Sequence, residues 1–390
     1  MPKKSSQIQP APTLTTRELN RATLARQMLL AREAVGVVEA VERLAGLQAQ
    51  YSPSPYIGLW TRVEGFEHDH LTGALLDRRV VKASLMRWTL HIASARDYPF
   101  FSRAVSESRA ANWRNIIERN RLDASMLHEK LIEYATTPRT LKELTDFLDT
   151  LVPQNTESRD DDRYPRLVWH AVSSFGGLVH VPPSGTWKYF GKNSYVAADR
   201  WLGDMHMPAL DEAVTHTVKR YLAAFGPASR ADVMQWSGLR KVSQVDAALK
   251  SLGSELLAFQ GEDGKVLYDL ADAPRPEGDV DAPVRFLPKW DNLLLAYRPE
   301  DRRRVLPERY HKKILRINGD MLPTFLVDGV VAGAWSSRVE QGTAVLSIEP
   351  FESGSLAPAT LSALEEEGER LIRFVEPDAK KHEVRFTRSE

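Results

Sequence analysis

Two glutamines, Gln48 and Gln50 in the stretch GLQAQYSP (residues 46–53), are the side chains most able to do chemistry without carrying a charge. A carboxamide both donates and accepts hydrogen bonds. Spaced i,i+2 in an extended or turning backbone, two of them aim at one point. Such a pair fixes a water molecule without taking its proton. The alternative is that both cap helix carbonyls or face water. Val37, Val38, Val41, Leu44 and Leu47 recur ahead of them at helical spacing. The pair is therefore expected at the end of a buried helix. Pro53 and Pro55 follow in a turn-rich segment, with Tyr51, Tyr56 and Trp60 nearby.

Other catalytic signatures are missing from the sequence. It has no Walker loop, no dinucleotide fingerprint after a strand, no HExxH and no nucleophile elbow. His68 and His70 in FEHDHL are expected in an exposed polar turn, because spacing places no third ligand beside them. Asp160 to Asp162 read as a solvated acidic run. No metal and no cofactor are expected. His91 and His170 sit in apolar company and are expected to pack in or near the core.

The chain has 390 residues, enough for two or three domains. Fifty-two basic and 52 acidic residues cancel, and cysteine is absent. The balance argues against a strongly basic coat for nucleic acid but leaves room for a local basic face. The lack of cysteine removes disulfides and thiol nucleophiles, and fits a reducing cytoplasm. The amino terminus carries no apolar signal segment, and no run approaches the ~20 apolar residues of a membrane helix. Residues 1–13 read as a disordered arm.

The elements that must position the glutamines follow a repeated order. Between Asp211 and Ala273, a helix ends at Gly226-Pro227 and a second opens at Ser229 with Asp232 as its box partner. A third carries Val242, Val245, Leu249 and Leu252. ELLAFQ and KVLYDLA then read as a hairpin across GEDG. Three helices and a hairpin is the order of a winged helix, whose third helix enters a DNA groove. The order appears earlier with helices at 127–135, 140–148 and 164–175, followed by GLVHVPP and TWKYFG as strands. It appears first with a helix from Thr15, the glutamine-bearing helix, a helix near 67–79, and VVKASLMRW and TLHIASA as strands. After Pro283, VRFLPKW, NLLLAY, KILRING, TFLVDGVVAGAW and TAVLSIEPF predict a small barrel or sheet. A helix at 357–370 and the strands RLIRFVE and HEVRFT close it. The reading is an α+β protein with modules at 14–120, 121–205 and 206–280 and a β-barrel domain at 281–390.

LAGLQAQYSPSPYIGLWTRV, LMRWTLHIAS, FGPASRADVMQWSGL, FLPKWDNLLLAY and FLVDGVVAGAW together resemble the AlkZ-like (YcaQ-like) winged-helix DNA glycosylases, from about Leu14 to about Arg385. The resemblance implies three tandem winged helices and a β-barrel forming a C-shaped cleft for duplex DNA. It implies release of N7-alkylated guanines and unhooking of interstrand crosslinks, with a Gln-aliphatic-Gln signature that Gln48-Ala49-Gln50 matches. An N7-alkylated guanine already carries positive charge, so it departs without a general acid and needs an aimed water.

Candidate DNA contacts are Tyr51 beside the pair, Arg87 and His91 on the first hairpin, Trp187 and Lys188 on the second, and Arg240 and Lys241 opening a helix of the third module; the alternatives are a salt-bridged arginine and a packed histidine, plain strand packing, and a solvated helix end. Asp291 in Trp290-Asp291-Asn292 is expected either to orient DNA-contacting groups or to buttress the fold. The basic run 298–313 is expected to track the backbone or to be solvated. The partner is then double-stranded DNA bearing alkylated purines or crosslinks, met in the cytoplasm at the nucleoid by a monomer. The competing reading is a non-catalytic winged-helix DNA-binding regulator.

Overall fold

Capping boxes set several helix starts. Thr15 and Glu18 close one around the helix Thr16–Arg26. Thr140 and Glu143 do so for Leu141–Leu151, and Ser229 and Asp232 for Arg230–Ser237. In each, the side chains satisfy amides that the first helical turn leaves free. The structure, a computed structural model, describes residues 12–152, 163–316, 319–352, 354 and 356–387. The expectations for residues 1–11 and for Asp160 to Asp162 lie outside the described residues. Thr13, expected in the amino-terminal arm, instead belongs to a strand.

The strands of the described residues, in chain order, begin with β1 (Thr13–Leu14), β2 (Leu47–Gln48), β3 (Val80–Ser84), β4 (Leu90–Ser94) and β5 (Arg139–Thr140). Next come β6 (Leu178–Val181), β7 (Ser194–Ala197), β8 (Leu256–Gly261) and β9 (Val266–Leu270). The last are β10 (Arg285–Leu287), β11 (Thr324–Val327), β12 (Val330–Glu340), β13 (Thr343–Pro350) and β14 (Lys381–Phe386). They form three sheets in an α+β fold. One has six strands in the order β2-β4-β3-β6-β7-β5, and one has three in the order β1-β8-β9. The third is a five-stranded sheet, β10-β11-β12-β13-β14, whose ends do not meet, so it is not a closed barrel.

Several segments depart from the sequence reading. The helix before the glutamines is Val37–Arg43, and Gln48 lies on β2, not at a helix end. Gly46, at φ +84°, turns the chain out of the helix, and a side chain there would press the Ile92 carbonyl at 3.1 Å. The second hairpin pairs Leu178–Val181 with Ser194–Ala197, so TWKYFG is a connection and not a strand. NLLLAY, expected as a strand, contains the short helix Asn292–Leu295, and KILRING, also expected as a strand, begins inside the short helix His311–Ile314. RLIRFVE continues the helix Pro358–Val375, which buries Leu364, Leu371, Ile372 and Val375 along one stripe.

The helix Thr16–Arg26 fastens distant parts of the chain. Arg26 forms a two-pronged ion pair with buried Asp269 on β9, at 2.6 and 2.8 Å. Asn20 donates to the carbonyls of Arg304 and Gly329 at 2.7 and 2.8 Å. Within the basic run 298–313, Arg302 and Arg304 turn inward. The Arg304 guanidinium stacks 4.1 Å from the Tyr297 ring and donates to the Pro227 carbonyl. Those two arginines therefore serve the core and do not track an external backbone.

Candidate active site

β2 is a two-residue edge strand, held by β4 on one side and by a buried asparagine from far along the chain. Gln48 pairs in register with His91, and Leu47 with Ile92. The Gln48 amide donates to Asn292 Oδ1 at 3.3 Å. Asn292 Nδ2 in turn donates to the carbonyls of Leu44, at 3.2 Å, and Gly46. Next to it, Asp291 accepts from the Leu293 amide at the start of a helix and pairs with Arg62 at 2.7 and 2.9 Å. Asp291 and Arg62 are both buried. Asp291, expected either to orient DNA-contacting groups or to buttress the fold, therefore supports the glutamine strand from within. Asn292 is a functional support that sequence reasoning passed over, since nothing in WDN announces a partner some 240 residues away.

The hairpin turn between β3 and β4 supplies the other half of the site. Arg87 and Trp88 both have left-handed φ, at 51° and 58°. Such a turn normally takes glycine, asparagine or aspartate, and each bulky residue there costs roughly 1–3 kcal/mol. The conformation folds Arg87 back under β2 and leaves Trp88 exposed. Arg87 Nη1 donates to the Trp236 carbonyl at 2.8 Å. Its Nη2 donates to Gln48 Oε1 at 2.8 Å and faces His91 Nε2 at 3.3 Å.

Donor arithmetic fixes each group. His91 Nδ1 lies 2.9 Å from the Thr89 carbonyl, which only accepts, so the proton sits on Nδ1 and Nε2 is bare. Burial, and then the Arg87 charge, push His91 down to about 3. Burial, and then Arg302, bring Arg87 down to about 10, so it stays charged at neutral pH. Because guanidinium only donates, the Gln48 oxygen must face it, and the Gln48 NH₂ points the other way with no protein acceptor among the described residues.

Gln48 is only 6% exposed, whereas Gln50 is exposed. Gln50 Oε1 accepts from the Leu90 amide at 3.3 Å, a long bond that leaves acceptor capacity free. Gln50 lines a recess of about 260 Å³ together with Trp88, Arg109, Trp169, His180 and Tyr195. No carboxylate lines it among the described residues. Arg109, His180 and Tyr195 were not singled out from sequence. Arg109 lies on the helix Tyr98–Ala111, His180 on β6 and Tyr195 on β7, and only their packing together brings them to Gln50.

The family described as DNA glycosylase AlkZ-like matches residues 41–374, a span that includes both glutamines and their supports. The chain belongs to that family. Similarity to the interstrand DNA cross-link repair glycosylase of Streptomyces sahachiroi extends over 374 residues at 25% identity, covering 89% of this chain and 93% of the relative. The structure of Streptomyces sahachiroi DNA glycosylase AlkZ superposes with a TM-score of 0.79 at 21% identity, covering 96% of this chain and all of that one. The fold is thus shared over 96% of this chain.

Against this AlkZ-like frame the remaining expected contact residues fall into two groups. Tyr51, Lys188, Arg240 and Lys241 are exposed. Tyr51 stacks on exposed Phe190, with ring centroids 5.7 Å apart, and Lys289 Nζ sits 6.0 Å above it. Arg240 bonds Asn112 and stacks 5.5 Å from Trp88. Lys188 pairs with Glu376 at 2.6 Å and Lys241 with Glu107 at 3.3 Å. Such surface pairs are worth at most about 1 kcal/mol and exchange readily. Trp187 instead packs against Tyr56, His68 and Phe374. His68, expected in an exposed polar turn, is the first residue of a helix, and its ring lies 4.1 Å from both Trp187 and Phe374. Among the described residues no three histidine or acidic side chains gather as a metal would need, and no helix is long and apolar enough to cross a membrane.

The buried histidines set a pH dependence. His180, like His91, is pushed down to about 3, by burial and then by the charge of Lys82. Unfolding returns both to about 6.5, so the unfolded chain binds more protons as the pH falls below that value. Stability present above pH ~6.5 is lost as the pH drops toward the folded values. Thermal midpoints recorded from pH 7 down to pH 4 are expected to fall steadily. A midpoint level across that window would contradict the neutral assignment.

Proposed function

We propose that this protein is a monofunctional DNA glycosylase that hydrolyses the N-glycosidic bond of N7-alkylated purines and unhooks interstrand crosslinks built on such bases. The observation that carries the reading is the Gln48–Arg87 bond in a chain of the AlkZ-like family. It freezes one carboxamide with its NH₂ outward, next to a second, exposed carboxamide two residues on. One donates to a water and the other accepts from it, leaving a lone pair on the water for C1′ of the sugar. The cationic base leaves with the bonding electrons and needs no acid, so two amides suffice where a neutral base would demand a carboxylate. The reaction requires no metal, for the same reason.

Around this centre, residues 14–120, 121–205 and 206–280 act as winged-helix modules. With 281–390 they border a C-shaped cleft that takes duplex DNA. Tyr51, Lys188, Arg240 and Lys241 meet the backbone there, and Arg87 and His91 hold the motif from behind. The protein works as a monomer on the nucleoid in the cytoplasm. The deciding experiment is base release from an N7-methylated duplex and unhooking of a crosslinked one by purified protein in EDTA. Release of 7-methylguanine is expected. Tight DNA binding without release from either substrate would point to the non-catalytic regulator instead.

A further inference from the structure

The recess beside Gln50 has hydrogen-bonding chemistry that water positioning does not use. His180 on β6 is 5% exposed and lines it. Its Nδ1 lies 3.0 Å from Ser184 Oγ, and the Ser184 hydroxyl donates to Asn193 Oδ1 at 2.8 Å. Since that hydroxyl proton is spent on Asn193, His180 Nδ1 must be the donor, and Nε2 is a bare acceptor. Nε2 has no partner among the described residues. Tyr195 lines the same recess, its ring 4.4 Å from that of His180. Tyr195 packs edge-on to Trp169, with ring centroids 5.2 Å apart, giving the recess aromatic walls. A volume of about 260 Å³ falls short of the about 300–1,000 Å³ of drug-sized sites and suits one bicyclic heterocycle.

The charge in the recess selects further. Arg109 donates to the carbonyls of Ser84 and Ser173 at 2.6 and 3.0 Å, and among the described residues no carboxylate lines the space to balance it. A cationic base is disfavoured there and a neutral one is not.

We propose that this recess receives the purine base as it leaves the sugar, with His180 Nε2 accepting from the base N–H edge and the Tyr195 hydroxyl donating to its carbonyl. The inference rests on the glycosylase reading of the same site. As the C1′–N9 bond breaks, its electron pair passes to N9, so the alkylated base becomes neutral and the sugar takes up the positive charge. Water then bonds to C1′ and yields its proton to solvent. A recess that binds the neutral base better than the charged one strengthens its hold as the bond stretches, which is differential binding toward the transition state.

Equilibrium dialysis of the full chain at pH 6, where N1 of the nucleoside keeps its proton, with free 7-methylguanine, and separately with cationic 7-methylguanosine, tests this. The neutral base is expected to be retained in preference to the nucleoside. His180→Leu should weaken its retention by roughly 3- to 10-fold, as expected for one lost hydrogen bond. Tyr195→Phe, which keeps the ring against Trp169, should act in the same direction and guards against a misfolded His180 variant. Equal retention of base and nucleoside, no retention by the unmodified protein, or displacement of the base by inorganic phosphate would each overturn the proposal. Base release from duplex DNA reads the glycosylase activity separately. Release without base retention would discard the recess alone, and retention without release would discard the hydrolase reading.

Discussion

Gln48→Ala and Gln50→Ala proteins are expected to bind alkylated duplex as well as the unmodified chain while losing on the order of 10²-fold or more in 7-methylguanine release. The two losses have different origins. Gln48 is fixed by Arg87, so its removal takes away a preorganised donor and leaves the guanidinium facing empty space. Gln50 is exposed and held only by the long bond from Leu90, so its removal takes away the adjustable partner. The double variant should be little worse than either single one, because a water held by one amide alone is no longer aimed. Single-turnover release and duplex binding, measured on the same preparations, separate the two effects. Full release by either single variant would remove that glutamine from the mechanism.

Arg62→Ala is expected to be the most damaging change away from the motif, costing about 3–5 kcal/mol of stability. Arg62 is wholly buried and its fork spans both oxygens of Asp291. Removing it strands a carboxylate inside the protein. It also frees the Gln27 and Gly58 carbonyls that the same guanidinium serves, at 3.1 and 2.9 Å. The damage should spread to the site, because Asn292, which pins the Gln48 amide, follows directly on Asp291. Thermal melting beside a Lys142→Ala control, whose pair with Asp146 lies on the surface, makes the comparison. The control should shift by no more than about 0.5 kcal/mol. Near-equal midpoints for the two would mean that the buried pair is not what holds this region.

Where local chemistry determined the outcome, the sequence was readable. Thr15, Thr140 and Ser229 announce their capping boxes within three residues, and Gly238 ends its helix in a left-handed cap. Failure came where pairing at a distance decided. β2 is two residues long and exists because β4 and Asn292 hold it, so Leu47 reads locally as one more step of a helical stripe. NLLLAY is an apolar run too short for its period to speak, and only Asp291 as a cap tips it to helix. The error at RLIRFVE was avoidable, since Leu364, Leu371, Ile372 and Val375 keep helical spacing throughout. At the candidate site, type and spacing single out the glutamines. Arg87 and His91 were legible as neighbours but not as the clamp they form. Arg109, His180 and Tyr195 were not legible at all, because a helix and two strands far apart in the chain assemble them.

That sheet joins the first hairpin to the second along β3 and β6, where Lys82 is matched with His180. Neither half can be cut away cleanly. A fragment ending near residue 120 would present the bare flank of β3, and one beginning there would present that of β6. Each would offer unsatisfied amides and carbonyls to any passing strand. Shortened versions should therefore clump during expression, and the gene should resist being trimmed or recombined at that seam even where the linking chain itself looks dispensable.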